Sequence, residues 1–194
     1  MKVEMTADHN NIAYRVRCDE HFVHFYQNDD RLLAEVAEFV VRGLQAGDTA
    51  IVIATATHRE RLSRQVLRAV PHLEASSFYR DQYIALDAEE TLSRFMVNGW
   101  PDEQRFTEVV GGVVRRAAQA GCGRILAFGE MVALLVEQGK TEAAIRLEEL
   151  WNELGKHYSF SLFCAYPTRL FRDPAHSSAF ARICHTHTRV CNTN

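Results

Sequence analysis

Two hydrophobic periods take turns along the chain. From position 32 onward, Leu32, Leu33, Val36, Phe39, Val40 and Leu44 recur every three to four residues. That spacing predicts an amphipathic helix closing at Gly43. Asn28 or Asp29 can cap its start, and Asp29 and Asp30 suit the positive end of its dipole. Gly47-Asp48 predict a turn. Thr49 to Thr55 then form a continuous β-prone run through Ile51, Val52 and Ile53. A short apolar run between two helices is the pattern of a parallel strand buried on both faces. Thr57 opens the next helix, marked by Leu62, Val66, Leu67 and Val70 and stopped before Pro71.

The alternation continues to the end of the chain. Residues 83–86 predict a strand ending at Asp87, and 88–98 a helix broken by Gly99-Trp100-Pro101. Phe106, Val109, Val110, Val113, Val114 and Ala117 define a helix ending near Gly121. Residues 124–128 read as a buried strand, 130–138 as a helix, and 141–157 as a longer helix with Ala144, Leu147, Trp151 and Leu154 inward. A strand follows at 159–165, ended by Tyr166-Pro167, and then a last helix at 175–188. Near the start, residues 12–18 alternate well enough for an edge strand or a lead-in. Between 21 and 26, His21, His24 and Tyr26 are threaded among Phe22, Val23 and Phe25, and each polar ring needs a partner if buried. Four or five strands alternating with helices predict an α/β fold with a mostly parallel central sheet and helices on both faces. Strand order is not readable from the pattern.

Bulk properties narrow the class. The 194 residues suffice for one sizeable core, so a single domain is expected over 1–194, with a core from about 19 to 190 and loose termini. A net charge of −3 with no dominant Lys/Arg cluster gives no electrostatic case for nucleic acid. No apolar run approaches the roughly 20 residues of a membrane span, and the N-terminus lacks an apolar signal core. A cytoplasmic location is expected. Five cysteines, Cys18, Cys122, Cys164, Cys184 and Cys191, are an odd and scattered set that favours free thiols over a disulfide framework.

Candidate chemistry is dispersed. A helix, a Gly turn, a buried strand and a helix also open the nucleotide-binding cores of the RecA and KaiC type. There a G-x-x-x-x-G-K-[ST] loop follows the strand. Here Ala54-Thr55-Ala56-Thr57-His58-Arg59 follow it, with no Gly and no Lys. Glu130 comes directly after a buried strand, where a hydrolase of this shape would orient water or magnesium; it can equally cap a helix or pair with Arg124. Glu148 and Asn152, four apart, share a helix face beside Trp151. Cys184-x-x-His187, together with Cys164 at a strand end, raises a metal site, and His21-x-x-His24 offers a second pair. A buried Cys is also simply a small apolar residue. No G-x-S-x-G elbow is present. Aromatic residues near the predicted strand ends, with Glu130, His24 and Tyr166 as polar groups, would suit a pocket for a small organic molecule.

Taken in order, several of these segments resemble the MEDS domain, the methanogen/methylotroph DcmR sensory domain. They are His21-Phe-Val-His24-Phe-Tyr26, the stretch GLQAGDTAIVIAT from Gly43, and Asp87-Ala-Glu-Glu-Thr-Leu. Gly129-Glu130-Met131, Glu148-x-x-x-Asn152, Phe163-Cys164-Ala165-Tyr166 and Ile183-Cys184-x-x-His187 complete the set. Order and spacing together, over about residues 19–190, carry the resemblance. It implies a RecA/KaiC-like three-layer sandwich without the phosphate-binding loop. It also implies a sensory domain for a small organic, possibly hydrocarbon-derived, ligand such as a halomethane. The matching positions His24, Tyr26, Glu130, Glu148, Asn152, Cys164 and Tyr166 become ligand-binding candidates.

The expectation is a non-enzymatic sensor in signal transduction or transcription regulation, with no cofactor. Its site is expected at the carboxyl edge of the sheet near Glu130 and Tyr166, with His24 and Tyr26 closing over it. The chain ends at Asn194 without an output segment of its own, so it is expected to be either a fragment of a longer regulator or a free-standing sensor that signals by contact to a partner such as a histidine kinase or regulator, or through a homodimer. Two rival readings stay open. One is a nucleotide hydrolase with an altered phosphate loop; the other is a metal or redox sensor using Cys164, Cys184 and His187.

Overall fold

The computed structural model describes residues 20–71, 82–120, 123–172 and 177–192. The first strand, β1 (His21–Tyr26), is buried at all six positions. Asn28 caps α1 (Asp29–Gln45) by accepting a hydrogen bond from the Arg31 amide, and the predicted apolar face is the buried one. β2 (Thr49–Ala54) is buried throughout, and α2 (Ala56–Ala69) leaves from it directly. β3 (Tyr83–Asp87) ends at Asp87, whose carboxylate caps α3 (Ala88–Phe95).

Residues 96–101, expected only as a chain break, form a small antiparallel hairpin of β4 (Met96–Val97) and β5 (Trp100–Pro101). Asn98 and Gly99 between them both have positive φ, 51° and 80°. An Asn-Gly pair in that conformation makes the tight turn whose twist matches a hairpin. A continuous helical stretch follows as α4 (Glu103–Phe106), a π-helical turn (Thr107–Gly111) and α5 (Gly112–Gln119). Then come β6 (Ile125–Gly129), α6 (Met131–Glu137), α7 (Thr141–Gly155), β7 (Ser161–Pro167), α8 (Ser177–Thr186) and β8 (Arg189–Asn192).

Six strands make one sheet in the order β3-β2-β6-β7-β1-β8, and every pair in it is parallel. The sheet divides the interior into two apolar layers. On one side α1 and α2 cover Phe22, Val52, Phe128 and Phe163. On the other, α3 and α5 to α8 cover Val23, Ile53, Ala127 and Cys164. The predicted α/β fold with helices on both faces is therefore the observed one.

Three local expectations change. Residues 21–26, which the pattern leaves as an apolar run with polar rings, are an interior strand, in which the two histidine rings find the partners described below. Tyr166 and Pro167 lie inside β7 rather than ending it: they pair with Phe25 and Tyr26 at the last register positions, where a strand tolerates Pro. The last helix stops at Thr186, and the chain adds β8 as an edge strand beside β1. The strand expected at 12–18, together with Cys18 and Cys122, lies outside the described residues. Among the described residues no helix is long and apolar enough to cross a membrane.

Candidate functional site

The pleat of β1 sorts its polar side chains. His24 and Tyr26 face the α1 side with Phe22, whereas His21 faces the α7 side with Val23 and Phe25. The seven residues expected to share one pocket are thus divided by the sheet. His24 lies with its Nδ1 3.0 Å from Oε2 of Glu35 on α1, fully buried. Burial works against the Glu35 charge, but His24 and Arg31 outweigh it and hold that carboxyl below its ordinary range. His24 therefore serves the α1–sheet contact.

Tyr26 and Glu130 belong to the carboxyl edge. Glu130 Oε2 accepts hydrogen bonds from the Thr55 amide (2.9 Å) and hydroxyl (3.3 Å), while Oε1 accepts from His58 Nδ1. β2 sends its chain to α2 on one face and β6 sends its chain to α6 on the other, so this is a topological switch point, the usual ligand crevice of an α/β sheet. The amide end of a helix after such a strand is an anion site. In this chain a protein carboxylate fills it. The hydrogen bond to Glu130 raises the His58 pKa against the opposing effect of burial, and burial followed by the Glu130 charge raises that of Tyr26. His58 was not among the sequence candidates. Its only signal was its place in the first turn after the buried strand.

The remaining four candidates converge on the other side of the sheet. Glu148 on α7 is fully buried. Its Oε1 accepts from the Tyr166 hydroxyl at 2.7 Å and its Oε2 from the Cys164 thiol at 3.4 Å. His21 and His187 join them. His21 Nε2 lies 3.1 Å from Glu148 Oε2 and 3.4 Å from Cys164 Sγ. His187 Nε2 lies 3.4 Å from Glu148 Oε1. The two imidazole rings are 4.1 Å apart.

The far side of each ring is anchored. His21 Nδ1 is 2.9 Å from Asn152 Oδ1, and Asn152 Nδ2 donates to the Thr186 carbonyl at 2.8 Å. His187 Nδ1 donates to the Ile183 carbonyl at 2.7 Å. Asn152 is therefore a positioning residue. Cys184, expected to pair with His187, is half-buried against the apolar layer and is not part of this group.

Electrostatics separate the members. Burial alone would raise the Glu148 pKa, but the His187 and His21 rings and the Tyr166 hydroxyl outweigh it and bring it down to about 2. Burial lowers His187 to about 4 against the pull of Glu148. Burial, and then the Glu148 charge, push the Cys164 thiol and the Tyr166 hydroxyl well up, so both stay protonated and donate. A charged, hydrogen-bonding group of this kind inside an apolar layer is costly to fold around. Its clustering of shifted titratable groups marks it as a functional candidate.

The family model for the methanogen/methylotroph DcmR sensory domain, MEDS, matches residues 20–188. No curated protein and no solved structure matches the chain.

Proposed function

Because the chain belongs to the MEDS family, we propose that it is a sensory input domain whose ligand is read at the buried group around Glu148. The carrying observation is the convergence of His21, Glu148, Cys164, Tyr166 and His187, from β1, α7, β7 and the link after α8, inside one apolar layer. The apolar walls suit a small hydrocarbon derivative, and the polar centre fixes its orientation.

The output follows from the chain path. Asn152 holds the Thr186 carbonyl and His187 leads into β8, so a change at Glu148 is felt by α8 and by the edge strand. Both lie at the surface of the fold, where a histidine kinase, a regulator or a second copy of the chain would read them. A ligand acts by binding one of two arrangements of that edge more tightly than the other.

The test is thermal melting of the purified chain against a panel of halomethanes and short alcohols. A ligand at about 100 times its Kd adds about 2.7 kcal/mol to stability. The expected result is a rise in melting temperature that Glu148→Gln abolishes and Glu130→Gln keeps. The reverse pattern would move the ligand to the carboxyl-edge crevice. If no compound shifts the wild-type chain, the hydrocarbon-sensing reading is wrong.

The switch-point geometry bears on the nucleotide reading. Glu130 occupies the amide that a phosphate would use, and like charge opposes a triphosphate there. ATP with magnesium should leave the melting temperature unchanged.

A further inference from the structure

Two imidazole nitrogens, a thiol sulfur and a carboxylate oxygen converge on one small volume. The tautomers set this arrangement. Asn152 Nδ2 donates to the Thr186 carbonyl, so its Oδ1 is the atom facing His21 and must receive a proton from Nδ1. The Ile183 carbonyl likewise takes the proton of His187 Nδ1. Each ring then turns its Nε2 inward, towards Glu148. His187 Nε2 is fully buried and makes no hydrogen bond. A nitrogen and a carboxylate oxygen at this distance attract only with a proton or a metal ion between them, and the His187 Nε2–Glu148 Oε1 contact at 3.4 Å makes no hydrogen bond.

We infer that His21, Glu148, Cys164 and His187 form a four-coordinate site for a divalent transition metal ion, zinc in the first instance. This rests on the reading of the Glu148 group as the ligand-reading centre, and it names the ion that would sit there. The one ligand atom from each residue lies within 4.8 Å of every other. Zinc bonds of about 2.0–2.3 Å in a tetrahedron give ligand-to-ligand edges of about 3.3–3.6 Å. The observed edges among His21 Nε2, Cys164 Sγ and Glu148 Oε2 are 3.1, 3.4 and 3.4 Å. They outline one face of such a tetrahedron, and His187 supplies the fourth corner.

The outer contacts have the form that metal-bound histidines show. Each ring gives its other N–H to a carbonyl, which fixes its orientation and strengthens the ligating nitrogen. Tyr166 does the same for the carboxylate through Glu148 Oε1. Charge also closes. On binding, Cys164 releases its thiol proton to solvent, and a thiolate and a carboxylate match the two positive charges of the ion. A buried site is then neutral overall, as the apolar layer requires. Mixed imidazole and thiolate donors suit zinc or ferrous iron and disfavour magnesium or calcium.

The experiment strips the full chain with chelator and titrates it with zinc and then with cobalt(II), whose absorption reports geometry and thiolate ligation. The expected result is one zinc per chain and, with cobalt, the intense visible bands of a tetrahedral ion plus a thiolate charge-transfer band. Cys164→Ser should remove that band and weaken zinc by more than the roughly 10–100-fold that losing an outer-shell partner costs. His187→Gln should weaken zinc similarly, and Cys184→Ser should leave it unchanged. Circular dichroism of each variant checks folding, and the wild-type cobalt spectrum stands without the variants. No stoichiometric uptake, a cobalt spectrum without the thiolate band, or loss of zinc in Cys184→Ser would each overturn the site. A chain that takes no metal yet melts higher with a hydrocarbon derivative overturns the metal and keeps the sensor. A chain that takes zinc and answers no compound does the opposite.

Discussion

Glu130 and Glu148 show how two carboxylates in one small domain take different work from their neighbours. Glu130 is held by Thr55 and His58 at a chain crossing. The raised His58 pKa fixes the sign of a pH effect. A folded value above the unfolded one gives stabilisation that is whole below the unfolded pKa and is lost as pH rises through the folded one. A charge-assisted hydrogen bond of this kind contributes about 1.5–3 kcal/mol. His58→Gln should therefore cost more stability at about pH 6 than at about pH 9. Urea unfolding at both pH values checks this, and an equal cost at both would remove the charged pair from the account. Glu148 depends instead on donors that stay protonated. Tyr166→Phe in the metal-free chain leaves a buried carboxylate oxygen short of one donor and should cost about 1–3 kcal/mol. A double-mutant cycle with Glu148→Gln should show coupling above about 0.5 kcal/mol. Additive costs would mean that the two side chains do not act together.

Among the elements, α1 shows how local signals and close packing combine. Asn28, Asp29 and Asp30 start it, Arg42 lies in its last turn, and its apolar face is read correctly from spacing. Gly43 does not close the helix, which runs on to Gln45, and its duty is one that spacing does not reveal. A Cβ there would lie 2.1 Å from Leu126 Cδ1 on β6. Leu126 is buried and has little room to give. Gly43→Ala should thus lose about 1–2 kcal/mol by overpacking although it favours the helix. Pairing it with Leu126→Ala should recover part of that loss, and denaturant unfolding of the single and double variants measures both. Asn28→Ala removes the cap and should cost about 1 kcal/mol. The turn leading out of α1 is tied by Asp48, which accepts from both the Arg124 amide and its guanidinium, joining the start of β2 to the start of β6.

At the scale of the molecule, the strand order places the candidate site near one edge. β7 and β1 carry Cys164, Tyr166 and His21, and among the described residues only β8 lies beyond them. Hydrogen exchange should be slowest in β2, β6, β7 and β1, which have partners on both sides, and faster in β8 and α8. Ligand or metal at Glu148 should slow exchange in α8, β8 and β1 and leave β3 and α3 unchanged. Protection confined to the β2–β6 crevice would instead assign the response to Glu130 and His58.

The sequence by itself determined the fold class, because period and burial are local quantities. A run such as Thr49–Ala54 is apolar on both faces wherever it sits, and the α1 stripe needs one covering surface of any kind. It also determined the family, through the order of short segments, and it brought forward Glu148, Asn152, Cys164 and Tyr166. Strand order decided the rest. β1 lies between β7 and β8, far in sequence from both, and the pairing of His21 with Cys164 and His187 exists only through that placement. The same pleat that turned His21 towards Glu148 turned His24 and Tyr26 to the opposite layer. Their spacing of two and three residues could not show which helix each would meet. Long-range register is a property of the packed sheet, and in this protein it assembles one buried polar centre from residues more than a hundred positions apart.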